Sequence, residues 1–353
     1  MPLTVDRVEK FASLRALRWE DRRLEILDQR LLPREERWLV LQSAEEVAEA
    51  IRSLAVRGAP AIGIAAAYGI ALEALRLGDG PDRVSRLAAA CRLLQEARPT
   101  AVNLAWAVAR MEPLLEAPAE RLLAEAQRIE AEDLAANRAM AEAGAELLNE
   151  RGRVLTHCNT GALATAGIGT ALGVIRFAYA RGRIERVYAC ETRPWLQGAR
   201  LTLWELAREG IPASLIADGA GAWAMARLGI AWLIVGADRI AANGDTANKI
   251  GTLSLMIAAR HHGVKTMVVA PTSSIDTQTA SGAEIPIELR DAEELLACGG
   301  HRHTPDEAEA WNPVFDVTPA ELIDVLVTER FVLERPNRER IAAALSGLGR
   351  GSC

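Results

Sequence analysis

The spacing of apolar residues changes character near the middle of the chain. Short apolar runs at 17–19, 23–27 and 37–41 predict three strands close to the start. Ser43, with Glu46 three residues later, forms a capping box and opens a helix that runs to about residue 56. Helical stretches rich in Ala, Leu, Glu and Arg follow near 60–77, 82–96, 102–115 and 118–149, the last long enough to link two halves.

From Arg153 onward, β-branched runs at 153–156, 184–188, 213–216, 231–235 and 265–269 alternate with helix-period segments. Most end in Gly, Asp, Asn or Pro. That alternation predicts a doubly wound α/β domain with a parallel sheet. The expected organisation is a smaller, mostly helical amino-terminal α+β domain with a short β-sheet (1–125), followed by a Rossmann-like α/β domain (126–353). Residues 271–315 read as loop, and helices are expected to resume after Thr318-Pro319.

At 353 residues, half of them apolar and a quarter charged, the chain is long enough for two ordinary domains. Its 47 acidic and 41 basic residues are well mixed, giving a net charge of -6. With no basic stripe, nucleic acid is not an expected ligand. Residues 1–7 lack the basic and apolar regions of a secretory leader. The longest apolar stretch, 59–72, ends at Glu73 and is too short and too weakly hydrophobic to span a bilayer, so no membrane partner is expected. The five cysteines form no CxxC pair and the five histidines show no ligand spacing. That points to a reducing compartment and to no structural metal.

In an open parallel sheet, ligands gather beyond the carboxyl ends of the strands. Thr156-His157-Cys158-Asn159-Thr160-Gly161 lies there, between a strand and an Ala/Gly-rich helix. Backbone N–H groups and a helix dipole would favour a thiolate at Cys158; the plain alternative is a small packed residue. Neighbouring side chains at a strand end point to opposite faces, so His157 reads as structural. Gly236-Ala237-Asp238-Arg239-Ile240 also follows a strand. A partly desolvated Asp238 would have a raised pKa suited to acid–base work; otherwise it pairs with Arg239 or caps the next helix. Arg57-Gly58-Ala59-Pro60 sets a turn glycine where backbone N–H groups can converge on a phosphate at a helix mouth. Arg98-Pro99-Thr100, Gln197-Gly198 and Asn248-Lys249 add charge and donors. No GxxxxGK(S/T) is present, and no GxGxxG follows a first strand, which argues against a P-loop NTPase and a Rossmann dehydrogenase.

Together, several runs resemble one family. They are Arg57-Gly58-Ala59-Pro60-Ala61-Ile62-Gly63, Arg98-Pro99-Thr100-Ala101-Val102-Asn103-Leu104, His157-Cys158-Asn159-Thr160-Gly161 and the long segment from Glu191-Thr192-Arg193-Pro194-Trp195-Leu196-Gln197-Gly198 to Thr202. Gly236-Ala237-Asp238-Arg239-Ile240, Asn243-Gly244-Asp245, Asn248-Lys249-Ile250-Gly251-Thr252 and Ala270-Pro271-Thr272 complete the series. They resemble the methylthioribose-1-phosphate isomerases of methionine salvage, which are related to regulatory subunits of the eukaryotic initiation-factor-2B exchange complex. The resemblance runs in order over roughly residues 15–335. It implies that Cys158 and Asp238 are the catalytic pair, and that Arg57, Gly58, Ala59, Arg98, Gln197, Asn248 and Lys249 hold a sugar phosphate. It further implies a homodimer; with no leader and no metal-ligand spacing in the sequence, a cytoplasmic protein that uses neither metal nor cofactor is expected.

In an aldose 1-phosphate the anomeric oxygen is blocked, so the ring cannot open spontaneously to an aldehyde. Such an isomerase must protonate the ring oxygen and then move hydrogen from C2 to C1, through an enol phosphate or as hydride. Either route needs two titratable groups in a site that limits loss of phosphate. Asp238 is expected as the main proton carrier, with Cys158 as the second acid–base group or as a stabiliser of charge at C1 and C2. Two rivals remain. A ribose-1,5-bisphosphate isomerase would need a second phosphate site where Pro194-Trp195-Leu196 offers apolar surface suited to a thioether. A regulatory subunit would have no reason to keep both the thiol and the carboxylate.

Overall fold

The computed structural model describes residue 11 and residues 13–347. Strands β1 (Leu17–Glu20), β2 (Arg23–Leu27) and β3 (Trp38–Leu41) form an antiparallel sheet. Its inner face buries Leu24 and Ile26. Helix α1 (Ala44–Arg52) opens at the expected box: Ser43 Oγ accepts the Glu46 N–H (3.2 Å), and the Glu46 carboxylate accepts the Gln42 N–H (2.7 Å). Helices α2 (Ala59–Leu77), α3 (Arg83–Gln95), α4 (Val102–Met111) and α5 (Ala119–Glu146) follow. Among the described residues α2 is the one helix long and apolar enough to cross a membrane. However, 78% of its apolar window is buried inside the fold, because Ala, Gly and Ile let neighbouring helices surround it. Leu122, Ala126 and Ile129 of α5 join the core around α2, whereas its Met140, Ala141 and Ala145 join the core on the parallel sheet.

The second half alternates strands and helices: β4 (Gly152–Thr156), α6 (Ala171–Ala180), β5 (Ile184–Cys190), α7 (Leu203–Arg208), β6 (Ala213–Ile216), α8 (Gly221–Arg227) and β7 (Ile230–Val235). The hairpin β8 (Arg239–Ala241) and β9 (Thr246–Lys249) comes next, then α9 (Thr252–His262) and β10 (Lys265–Val269). Residues 271–315 are largely loop, with the short elements β11 (Ile275–Asp276), α10 (Glu293–Leu296), β12 (Ala297–Cys298) and β13 (His301–Arg302). The chain continues through β14 (Phe315–Thr318), β15 (Val325–Val327), β16 (Val332–Glu334) and α11 (Arg338–Leu345).

Seven strands form the main sheet in the order β16-β15-β10-β7-β4-β5-β6, parallel except for the β15/β16 pair. The α/β expectation therefore holds. Two expectations do not. After Pro319 the chain makes only a 3-10 turn before β15 and β16, and a helix returns at Arg338. Val325, Leu326 and Val327 are buried beside β10, and that pairing overrides the local helical signal. Nor does a helix start behind Cys158. Residues 159–170 form a loop with one 3-10 turn at Ala162–Ala164, and α6 begins only at Ala171. Gly167 and Gly169, at φ +151° and +89°, keep this Ala/Gly-rich stretch out of a helix.

Candidate active site

The sheet's order reverses at β4. From there the chain steps outward to β5 and β6, then returns on the other side to β7 and β10. A crevice opens beyond the carboxyl ends where such a reversal occurs. Cys158 follows β4 by two residues and Asp238 follows β7 by three, so both lie at this point. Around them is a cavity open to solvent. All nine expected residues line it: Arg57, Gly58, Ala59, Arg98, Cys158, Gln197, Asp238, Asn248 and Lys249.

Each arrives by its own route. Gly58 caps α2 at φ +95°, and a Cβ there would stand 2.5 Å from the Ala164 Cβ, so only glycine lets the 57–59 turn pass beneath the Cys158 loop. The N–H of Ala59, in the first helical turn, has no intrahelical partner to claim it. Arg98 reaches in from the turn after α3, and its Nη2 pairs with Glu288 at 2.9 Å. Asn248 and Lys249 end β9, outside the parallel sheet, in a four-stranded sheet ordered β11-β8-β9-β14. The Lys249 Nζ donates to the Val314 carbonyl (2.7 Å) and lies 4.4 Å from the Phe315 ring centroid.

Cys158 has a left-handed backbone, φ +66°. Its N–H donates to Thr192 Oγ1 (2.9 Å), its carbonyl accepts from Thr202 Oγ1 (2.7 Å), and Gln197 Nε2 stands 3.4 Å from its Sγ. These side-chain clamps replace the helix terminus expected at the loop. His157 turns the other way, as expected. It is buried, and its Nε2 donates to the Ile250 carbonyl (2.8 Å). Burial lowers its pKa against the pull of the Asp218 carboxylate.

Asp238 is half-buried at the cavity wall. Burial raises its carboxyl above the ordinary range, against the opposing Lys249, Arg98 and Arg57 cations. Arg239 turns away to Asp276 (3.5 Å) and the Thr100 carbonyl (2.8 Å), and the element after Asp238 is a strand. The ion-pair and helix-cap alternatives for Asp238 thus both fall. Burial also lowers the Lys249 pKa, with Cys158 and Asp238 opposing. Two buried polar atoms of the lining, Arg98 Nε and Gln197 Oε1, have no hydrogen-bond partner. Buried polar groups are rarely left so, and a polar ligand in the cavity would satisfy them.

The sequence reading missed several parts of the wall. Thr170, Arg290, Val314 and Phe315 line the cavity, and nothing in their local sequence marks them; Thr160, from the Cys158 loop, lines it too. Pro194 and Trp195 do line it, whereas Leu196 of the same apolar run does not. Arg200 fixes Trp195 by stacking 4.2 Å above its ring. The fold also brings His157, Cys190 and Asp218 within 4.8 Å of one another, the one group of metal-ligand type among the described residues. Asp218 accepts the N–H groups of Thr192 (2.8 Å) and Arg193 (2.7 Å), which holds the loop behind Cys158.

The sequence profile of the Initiation factor 2 subunit family matches residues 55–334. The chain belongs to that family. Within it, the chain is 56% identical to a methylthioribose-1-phosphate isomerase of Thioalkalivibrio sulfidiphilus, over 95% of this chain and 98% of the relative. The crystal structure of 5-methylthioribose 1-phosphate isomerase from Pyrococcus horikoshii OT3 superposes with a TM-score of 0.90 at 41% identity, covering 98% of this chain and 99% of that one. A structure described as initiation factor eIF-2B subunit delta from A. fulgidus matches with a TM-score of 0.81 at 41% identity, over 93% and 99% of the two chains.

Proposed function

We infer that this chain is an isomerase of methionine salvage that converts 5-methylthioribose 1-phosphate into 5-methylthioribulose 1-phosphate. The observation that carries the reading is one cavity holding a thiol, a carboxylate and several cations at the sheet's reversal point. The near full-length identity to an isomerase of that name stands beside it.

Arg57, Arg98 and Lys249 supply positive charge for the phosphate, and Gln197 and Asn248 supply polar contacts. Asp238 gives a proton to the ring oxygen as the bond from that oxygen to C1 breaks. The C2 hydrogen then passes to C1. As hydride it moves directly, the positive charge shifts from C1 to C2, and Cys158 stabilises that charge. By the enol phosphate route, Cys158 takes the C2 proton and returns it to C1. In both cases the C2 hydroxyl proton leaves to Asp238, C2 becomes the ketone carbonyl, and the enzyme is regenerated. Pro194, Trp195 and Leu54 offer the methylthio group an apolar wall.

The test is direct: incubate the protein with methylthioribose 1-phosphate and follow the ketose 1-phosphate by phosphorus NMR. No turnover refutes the reading and favours a regulatory role. A higher kcat/KM for ribose 1,5-bisphosphate would move the assignment to a bisphosphate isomerase, with Arg290 as the second phosphate contact.

We further read the chain as a two-domain cytoplasmic protein that acts as a homodimer. The proposed division at 125/126 falls early in α5, ahead of Ala126 and Ile129, which still pack in the first core, while the helix enters the second core at Met140. Exposed Trp223 and Ile257 on the neighbouring helices α8 and α9 suit contact with a second copy. Light scattering after gel filtration tests that, a monomer mass refuting it.

A further inference from the structure

The protein itself occupies four of the five N–H groups of Arg57. Nε donates to Gln29 Oε1 (3.2 Å), and Nη1 and Nη2 donate to the Asn159 carbonyl (3.1 and 2.9 Å). Nη2 also donates to Asn159 Oδ1. One hydrogen on Nη1 is left for a ligand, so the direction in which it points matters.

Asn159 is held in turn. Its Nδ2 donates to Glu205 Oε1 (2.7 Å). Glu205 is fully buried, and its other oxygen accepts the Ala162 N–H (2.8 Å) and Arg176 Nη2 (2.7 Å). Arg176 sits in the middle of apolar α6, fully buried, with Glu209 2.8 Å from its Nε. A buried ion pair contributes little net stability, so its presence here is better explained by what it fixes. An asparagine amide is nearly symmetric in shape, and its partners decide which end faces where. A carboxylate only accepts, so Glu205 draws the Asn159 NH2 to itself and leaves the oxygen for Arg57.

We propose that Asn159 and Glu205 are positioning residues for Arg57, with the Arg176–Glu205 pair setting the hydrogen-bond polarity that aims Arg57 at the substrate phosphate. The proposal rests on the reading of this cavity as a sugar-phosphate site. In Glu205→Gln the one remaining oxygen stays with Ala162 and Arg176, and the new NH2 meets the Asn159 NH2. Thr202 Oγ1 still accepts from Asn159 Nδ2 (3.3 Å), so the Asn159 amide either flips or is pushed aside, and both loosen its oxygen's hold on Arg57. Adding Asn159→Asp reverses this, because the new carboxylate accepts both from the amide introduced at position 205 and from Arg57.

The experiment is steady-state kinetics of the whole chain with methylthioribose 1-phosphate, with melting temperature as the control for folding. Glu205→Gln should raise KM about ten-fold, the worth of one charge-assisted hydrogen bond, and change kcat less than about three-fold. The pH profile of kcat should stay in place. The double variant should bring KM back to within about three-fold of wild type. A purely structural role would lower the melting temperature and leave the KM of the folded protein unmoved. If Glu205→Gln does not fold, Asn159→Ala carries the same expectation, since it keeps the 159 carbonyl and the Arg176–Glu205 pair. A folded single variant with KM within about two-fold of wild type overturns the proposal, as does a double variant no better than Glu205→Gln. If wild type fails to turn over the sugar phosphate, the functional reading falls separately. Equilibrium dialysis with inorganic phosphate then decides the proposal by the same pattern of weakening and recovery, and absence of that pattern overturns it.

Discussion

Asp238→Asn exchanges one side-chain oxygen for an amide nitrogen and leaves the backbone bond from the Asp238 N–H to the Ala247 carbonyl (2.9 Å) in place. The shape of the cavity is kept and the proton is lost. General acid–base catalysis is worth roughly 10²–10⁴ in rate, or about 3–5 kcal/mol of barrier, so kcat should fall by that factor while KM stays within a few-fold. Stability should move the other way. Burial raises the folded-state pKa of Asp238 above its ordinary 3.8, despite Lys249, Arg98 and Arg57. Below 3.8 the carboxyl is protonated in both folded and unfolded chains, and wild type and variant should melt alike. As pH rises through the folded-state pKa, ionising Asp238 costs the native state, and the Asn variant carries no such cost. The variant should therefore melt higher than wild type at about pH 8, and the gap should close on acidification. Turnover by phosphorus NMR and melting curves at several pH values read both effects. A variant with near wild-type turnover, or one that melts well below wild type in mild alkali, would show that Asp238 is a structural partner and not the proton donor.

Iodoacetamide should inactivate the enzyme in step with labelling at Cys158, and substrate should slow it. Burial pushes the Cys91 and Cys190 thiols up to about 12, and Cys353 lies outside the described residues, so peptide mapping must separate Cys158 from Cys298 and Cys353. Cys158→Ala should lose most turnover; full activity would leave the thiol a packing role. Gly58→Ala should cost roughly 2–4 kcal/mol in urea unfolding, from a Cβ forced against Ala164 at positive φ, and should raise KM. A neutral effect would mean that the 57–59 turn has slack. Activity should survive exhaustive dialysis against a chelator; loss that zinc restores would make the His157–Cys190–Asp218 group a working metal site.

Much of this molecule can be read from local pattern. The capping box at Ser43, the parallel strands and the loops after β4 and β7 all announce themselves within a few residues. What stays hidden depends on partners far away in sequence. Residues 325–327 are too few to declare a strand until β10 lies beside them. The stretch after Cys158 has helical composition, and the positive φ at Gly167, Ile168 and Gly169 shows in the fold what the composition hides. Arg176 is the clearest case. A lone arginine in an apolar helix reads as a solvated spoke, yet here it is fully buried because Glu205 and Glu209 await it from α7 and the turn after it. Charge complementarity across about 30 residues carries no local signature.

The long helix α5 has a mechanical consequence. Its 28 residues make a rod about 42 Å long, rooted at one end among α2 and its neighbours and at the other on the parallel sheet. Helical hydrogen bonds propagate along such a rod, so loosening either end frays the turns that anchor the other. The two halves of the molecule, joined also by the Arg57–Asn159 bonds, should accordingly melt in a single calorimetric transition.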